Sequence, residues 1–235
     1  MDSASVQNSD LSLDRWKNSW KDGRAPWHEG SVNSTLEKFF HLVEGDKKGL
    51  RILFPLCGKS FDMKWTADQG HVVVGVEGSD IGAKEFFKEH NIEYKMDAIN
   101  MAPRGALIFS SLDEKIRIFV CDMFDFRSTV AGGEFDGVFD RGALVAINPK
   151  DRPRYAELMG RLVAPGGKIL AECLEYDPSL YGGPPHHVPE HHIKEIYGQN
   201  FNVEQVEKVV GTKPSFKSRF NLDHVHVCSY VMTRK

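Results

Sequence analysis

From residue 50 onward, short apolar runs alternate with amphipathic stretches, and this rhythm limits the fold more than any other feature of the chain. Residues 50–54 and 72–76 are runs of strand length, apolar enough to be buried on both faces. Between them, residues 61–69 place Phe61 and Trp65 four apart and close on Asp68-Gln69-Gly70, which predicts a helix. A second helix is expected over 80–90, capped by Ser79 or Asp80 and carrying Ile81, Phe86 and Phe87. Residues 106–110 and 115–120 predict strands around a Leu112-Asp113-Glu114 turn, and 135–139 a further strand. A helix over 151–163 leads through the tight turn Pro165-Gly166-Gly167 into a strand at 168–174. Residues 201–210 and 224–233 are both strand-like.

Strands alternating with helices predict a mostly parallel sheet covered on both faces. The expected class is α/β: a Rossmann-like, mostly parallel, seven-stranded sheet with an antiparallel C-terminal edge hairpin. Two helices precede the first strand. Residues 11–21 bring Leu13, Trp16 and Trp20 to one face before Asp22-Gly23, and Leu36, Phe39, Phe40 and Val43 follow Ser31 at helical period. These helices are expected over the carboxyl ends of the strands, where an open α/β sheet binds its ligand. The chain is thus expected as one domain over 11–235, a helical lid (11–45) on an α/β core (50–235), behind a disordered stretch at 1–10.

Composition removes several function classes. A length of 235 residues suits a single domain, and a net charge of −3 leaves no footprint for nucleic acid or an anionic membrane. No apolar run approaches the ~20 residues of a membrane helix, and the polar N-terminus is not expected to be a secretory signal. Cys57, Cys121, Cys173 and Cys228 form no CxxC pair, the usage of a reduced, cytosolic chain. His186, His187, His191 and His192 are dense, but Pro184, Pro185 and Pro189 predict a loop and nothing completes a ligand set, so no metal is expected.

Three readings compete for the first strand-to-helix turn. Gly58-Lys59-Ser60 matches the end of a phosphate-binding loop, yet that motif's first glycine would fall at Leu53, and Pro55 lacks a backbone donor. A nicotinamide dinucleotide site needs three glycines, and only Gly58 is present. A ligand placing no phosphate on this loop needs one glycine for close approach, and S-adenosyl-L-methionine is such a ligand. Glu77 ends the second strand nineteen residues after Gly58, near the ~20-residue offset of an acid that accepts from ribose hydroxyls. Asp122 ends the 115–120 run, where a carboxylate can accept from an adenine amino group, with Met123 beside it to cover the base. Singly, each is an ordinary strand-end or turn acid. Together the three strand ends favour a nucleoside crevice.

The string Phe54-Pro55-Leu56-Cys57-Gly58-Lys59, with Met63-Lys64-Trp65, Val74-Gly75-Val76-Glu77 and the run from Asp140-Arg141-Gly142 to Asn148-Pro149, resembles the thiopurine S-methyltransferase family. Trp16, Trp20, Trp27-His28 and Gly183-Pro184-Pro185 extend the resemblance from about residue 11 to the C-terminus. It implies a cytosolic, monomeric enzyme that moves a methyl group from S-adenosyl-L-methionine to an aromatic or heterocyclic thiol, leaving S-adenosyl-L-homocysteine. By position, Trp16, Trp20, Leu56, Glu77, Asp122, Met123 and Arg141 would contact the cofactor, joined by Gly58 and Trp27. Trp27, Pro184 and Pro185 would border the acceptor, with His186 beside them. Trp27 stands where relatives more often carry Phe, Asp122 aligns with a serine in some, and residues 213–219, including Arg219, depart from the family's substrate loop.

Methyl transfer to sulfur is an in-line displacement that gains from alignment more than from acid–base help, so no dedicated base is expected. Arg141 is the expected catalytic residue, a fixed cation for an arriving thiolate; a structural pair with Asp140 or another carboxylate is the competing role. Trp16, Trp20 and Trp27 would form an aromatic lid, although Trp16 and Trp20 at i, i+4 equally suit a packing face. A non-catalytic or different-acceptor nucleoside-binding domain of this fold and an NAD-dependent oxidoreductase stand as alternatives.

Overall fold

The structure is a computed structural model that describes residues 12–100 and 105–235; the stretch expected as disordered, 1–10, lies outside the described residues. Helices α1 (Leu13–Lys21) and α2 (Ser34–Glu44) precede β1 (Arg51–Pro55). There follow α3 (Phe61–Asp68), β2 (Val72–Glu77), α4 (Asp80–Glu89), β3 (Tyr94–Ile99), β4 (Ala106–Ser111) and β5 (Ile116–Val120). The remainder comprises β6 (Phe135–Arg141), α5 (Arg152–Leu162), β7 (Val163–Glu175), α6 (Glu190–Tyr197), β8 (Phe201–Val210), α7 (Pro214–Phe220) and β9 (His226–Arg234).

One sheet runs in the order β3-β4-β5-β2-β1-β6-β7-β9-β8. The central strands β5, β2, β1, β6 and β7 are parallel neighbours, and antiparallel hairpins finish both edges. The C-terminal hairpin is the one the sequence predicts, with the short α7 in its connection. The sheet nevertheless has nine strands rather than seven. A hairpin of β3 and β4 hangs on β5; β3 alternates Tyr94, Met96 and Ala98 with Lys95 and Asp97, a period-2 signal that sequence reasoning missed, although Tyr94 to Ala98 are all exposed. The Tyr94 ring leans on Phe87 and Phe109, 4.8 and 5.5 Å away, at the edge of the sheet.

Side chains alternate faces along each central strand, as a pleat requires. Ile52 and Phe54 of β1, Val73 of β2 and Ile118 of β5 face one way, against Leu36, Phe40, Met63 and Phe86 of α2, α3 and α4. Leu53, Val74, Val76 and Phe119 face the other, against Tyr155, Leu158 and Ile193 of α5 and α6. The position of α2 corrects the expectation that both N-terminal helices cover the strand ends. Its buried stripe of Leu36, Phe40 and Val43 lies on a face of the sheet, and Asn33 starts it by accepting from the Thr35 and Leu36 N–H groups at 2.8 and 3.3 Å.

At the end of β6, Asp140 turns into the core, 1 % exposed. It accepts from the Tyr155 hydroxyl at 2.8 Å and the Leu144 N–H at 3.0 Å, fastening the turn after β6 to α5. Burial raises its pKa above the ordinary carboxylate value, with these bonds opposing. Tyr155→Phe removes one donor while the acid stays buried, so urea denaturation should show a loss of about 1–3 kcal/mol in unfolding free energy.

Candidate active site

The sheet changes direction of growth at β1: β2 and β5 extend one side, β6 and β7 the other. Such a switch point opens a crevice beyond the strand ends. The chain leaves β1 through Leu56 at φ 46° and Gly58 at φ 52°. The Gly58 N–H donates to Glu77 Oε2 at 2.9 Å, and the Ser79 N–H donates to Oε1 at 2.9 Å. One buried carboxylate thereby ties the ends of β1 and β2 together. Burial raises the Glu77 pKa, and the N–H groups of Ser79 and Gly58 oppose the rise. The neighbouring Lys59 is paired with Glu85 at 3.0 Å and Glu89 at 3.4 Å, and Ser60 caps α3 by accepting from the Asp62 N–H at 3.1 Å. The residues that mimic a phosphate loop are thus engaged with α3 and α4.

Asp122 follows β5, its Oδ1 accepting from the Phe124 N–H at 2.9 Å. With Leu13, Lys17, Gly78 and Cys121 it lines a cavity of ≈ 220 Å³; a second, of ≈ 500 Å³, shares Lys17 and Gly78 and reaches Asp80, Ile99 and Leu107. Met123 is buried among the core side chains with Phe119 and Phe126.

Helix α1 crosses this region on three glycines. Leu13 rests on Gly78, where an added Cβ would stand 2.2 Å from the Leu13 Cδ1 and push that side chain aside; Trp20 rests on Gly82, whose added Cβ would stand 3.0 Å from the indole, and on Gly58, at 3.5 Å. Trp27 stands edge-on to Trp16 (5.1 Å) and to Trp20 (5.7 Å). Trp16, Trp20, Trp27, Gly58 and Glu77 therefore converge as one group.

Charge clasps the loop that carries Trp27. Arg141 Nη1 donates to the Trp27 carbonyl at 3.2 Å, Nη2 meets Glu29 Oε1 at 2.5 Å, and Nε lies 4.0 Å from Glu172 Oε1. Lys213 Nζ also meets Glu29 Oε1, at 2.5 Å. Arg141 thus pairs with Glu29 and not with Asp140. Glu29 and Glu172 are site residues that sequence reasoning missed. The available signal for Glu172 was a charge inside the apolar 168–174 run; Glu29 had only its place two residues after Trp27.

Pro184 and Pro185 lie in a loop held by tyrosines: the Tyr181 hydroxyl donates to the Pro184 carbonyl at 2.5 Å and the Tyr176 hydroxyl to the Pro185 carbonyl at 2.7 Å. His186 is buried, with Nδ1 2.6 Å from the Gly182 carbonyl and Nε2 without a partner among the described residues; burial lowers its pKa. His187 instead accepts from the Tyr176 N–H, and His192 lies beside Glu195, so the clustered histidines serve separate contacts. Tyr181 packs on Phe220 of α7 at 4.9 Å, and Arg219 Nη1 donates to the Pro26 carbonyl at 2.6 Å. The proline loop, α7 and the Trp27 loop thus form one rim.

The donor set suits an adenosyl ligand: a carboxylate at the end of β2, a slot beside Asp122, and no basic cradle on the β1 loop. Fold and site together define a Rossmann-like enzyme of the S-adenosyl-L-methionine-dependent methyltransferase class. Solved structures share the architecture. The 1,6-didemethyltoxoflavin-N1-methyltransferase of Burkholderia thailandensis, with S-adenosylhomocysteine bound, matches at TM-score 0.61 and 17% identity over 100% of this chain and 92% of that one. The magnesium protoporphyrin IX methyltransferase of Synechocystis, with its methyl donor bound, matches at TM-score 0.60 and 14% identity over 100% of both. In sequence, a family model described as Thiopurine S-methyltransferase (TPMT) matches residues 11–235. A probable thiopurine S-methyltransferase of Danio rerio is 43% identical over 225 residues, 96% of each chain. The thiopurine S-methyltransferase of Panthera leo is 40% identical over 229 residues, 97% of this chain and 92% of the relative. The chain belongs to the thiopurine S-methyltransferase family.

Burial pulls Glu29 towards protonation, but the charges of Arg141 and Lys213 outweigh it and hold its pKa below the ordinary 4.5. A lowered acid contributes stability that is present above its unfolded pKa and lost as pH falls through the folded value. Tryptophan emission should therefore show an acid-side step below pH 4.5 as the Trp27 loop is released, and Glu29→Gln should lack that step.

Proposed function

We propose that this chain transfers a methyl group from S-adenosyl-L-methionine to the sulfur of a small aromatic or heterocyclic thiol. The observation that carries the reading is the Glu77 carboxylate held at the crevice by Gly58 and Ser79, beside the Asp122 slot, in a chain of this family. When bound, S-adenosyl-L-methionine supplies a methyl group activated by a positive sulfonium. Besides the N–H groups of Gly58 and Ser79, those of Gly78 and of the Trp20 indole also reach the Glu77 carboxylate, and a ribose hydroxyl would take the place of the Trp20 donor. Asp122 holds the adenine amino group. Leu56, Gly58 and Met123 shape the floor, and Trp16, Trp20 and Trp27 close over it and exclude water. Because Leu13 and Trp20 rest on the crevice glycines, α1 lifts to admit the nucleoside.

On the acceptor side, Trp27, Pro184, Pro185 and His186 form the wall, and Arg141 is the fixed cation towards which the thiolate is drawn. Aromatic and heterocyclic thiols ionise more readily than alkyl thiols, so the proton passes to solvent before attack. The reading includes a cytoplasmic monomer without nucleic-acid or membrane partners. Supporting it, the described cysteines are all free, the net charge is −3, and no helix among the described residues is long and apolar enough to cross a membrane.

Calorimetry should show binding of S-adenosyl-L-homocysteine and none of NAD, and Glu77→Ala should weaken the former at least about tenfold. With labelled methyl donor, aromatic thiols should be methylated in preference to phenols and amines. Label on oxygen or nitrogen acceptors alone, or on none, would overturn the thiol reading. Arg141→Ala should lower acceptor kcat/KM by roughly ten- to a hundredfold, with a smaller effect on unfolding.

A further inference from the structure

Arg152 stands at the start of α5, 3 % exposed and in no ion pair among the described residues. Its Nη1 donates to the His187 carbonyl at 3.2 Å, while Nε and Nη2 have no partner among the described residues. Burial lowers its pKa, and the groups that oppose the fall are Cys173 and Tyr176, neither of them a carboxylate. The acids that bear on the neighbouring His187 are engaged elsewhere: Glu175 pairs with Lys208 at 2.7 Å, and Asp177 accepts from the Ser179 N–H at 2.9 Å. A cation buried without a counter-charge is a cost to the fold. What this one holds is a carbonyl of the proline loop.

We propose that Arg152 is a positioning residue for the acceptor: through the His187 carbonyl it holds Pro184 and Pro185 in place, at the expense of stability. The inference rests on the reading of those prolines as the acceptor wall. The segment after them is tied at two points by its backbone, the His186 N–H donating to the Val145 carbonyl at 2.7 Å and the Val188 N–H to the Leu174 carbonyl at 2.8 Å. These bonds reach the turn after β6 and the end of β7. Arg152 adds a tie to α5, which Tyr155 and Asp140 already fasten to β6. His187 is half-buried, so its carbonyl can turn to water once the guanidinium is gone, and the loop then moves without leaving a buried group unpaired.

The test compares the full chain with Arg152→Met, which keeps an unbranched apolar stem in the core and removes the charge, and with Arg152→Lys, which keeps a cation. The Tm of Arg152→Met should equal or exceed the parent's, because an apolar side chain replaces an unpaired buried charge. Its KM for thiophenol should rise about tenfold while kcat changes less, and its affinity for S-adenosyl-L-homocysteine should stay at the parent value. Arg152→Lys should recover part of the KM. A second readout needs no thiol: in Arg152→Met the amides of His186 and Val188 should exchange hydrogen faster, and that of Leu144 at the parent rate. An Arg152→Met chain that melts lower or fails to fold would make the arginine a structural one and overturn the proposal, as would an unchanged KM or unchanged exchange at His186 and Val188. If neither protein methylates any thiol, the proposed reaction fails, and the exchange comparison still decides whether Arg152 holds the loop.

Discussion

A carboxylate is tolerated in a protein interior only where donors meet it, and the crevice is organised around one such acid. Glu77 is met by the N–H groups of Gly58 and Ser79, so the bonds that satisfy it also fix the course of the chain. In the β1–β2 register Pro55 lies beside Val76, which sets Glu77 one step beyond the strand pair, level with the outgoing turn. Gly58 has to turn at φ 52° to aim its N–H there, a conformation costly for a residue with a Cβ. Ser79 in turn begins α4. One side chain thus positions two loops and a helix.

The opposite half of the crevice is held by charge instead. Glu172 accepts from Asn33 Nδ2 at 3.1 Å and Thr35 Oγ1 at 2.9 Å, and the Asn33 N–H donates to Asp62 Oδ1 at 2.7 Å. Polar contacts therefore run from the first turn of α3, through the start of α2, to Glu172, Arg141 and the Trp27 loop. In a low-dielectric setting such a network is stable when its members are paired and costly when one is removed. The placement of α2 on the sheet face is what lets its first residues reach Glu172.

Legibility in the sequence followed burial. The strands β1, β2 and β5 were plain as apolar runs because both of their faces are covered, whereas the alternation of the exposed β3 is weak and charged at Lys95 and Asp97, and α7, seven residues long, was too short to show a period. The stripe of α2 announced that one face is buried but could not say against what. Gly58, Glu77 and Asp122 were legible because strand ends are adjacent in space as well as in the order of the sheet. Glu29 was not, since Arg141 and Lys213 come to it only through the fold.

The glycines of the crevice serve α1 in this conformation. Gly58 and Gly82 leave room for the Trp20 indole, and Gly78 for Leu13. On the proposed reading a nucleoside would approach this same backbone, so helix and cofactor would compete for one surface. Burying a large apolar side chain stabilises by about 1.5–3 kcal/mol, and lifting Trp20 without compensation would subtract that from the binding free energy. An α1 that settles back on the bound nucleoside recovers the contact, and the flat faces of Trp16, Trp20 and Trp27 are suited to re-pack on an aromatic base. On that reading the helix would act as a ligand-dependent part of the core, its packing energy held by the glycines in one state and by the adenosyl group in the other.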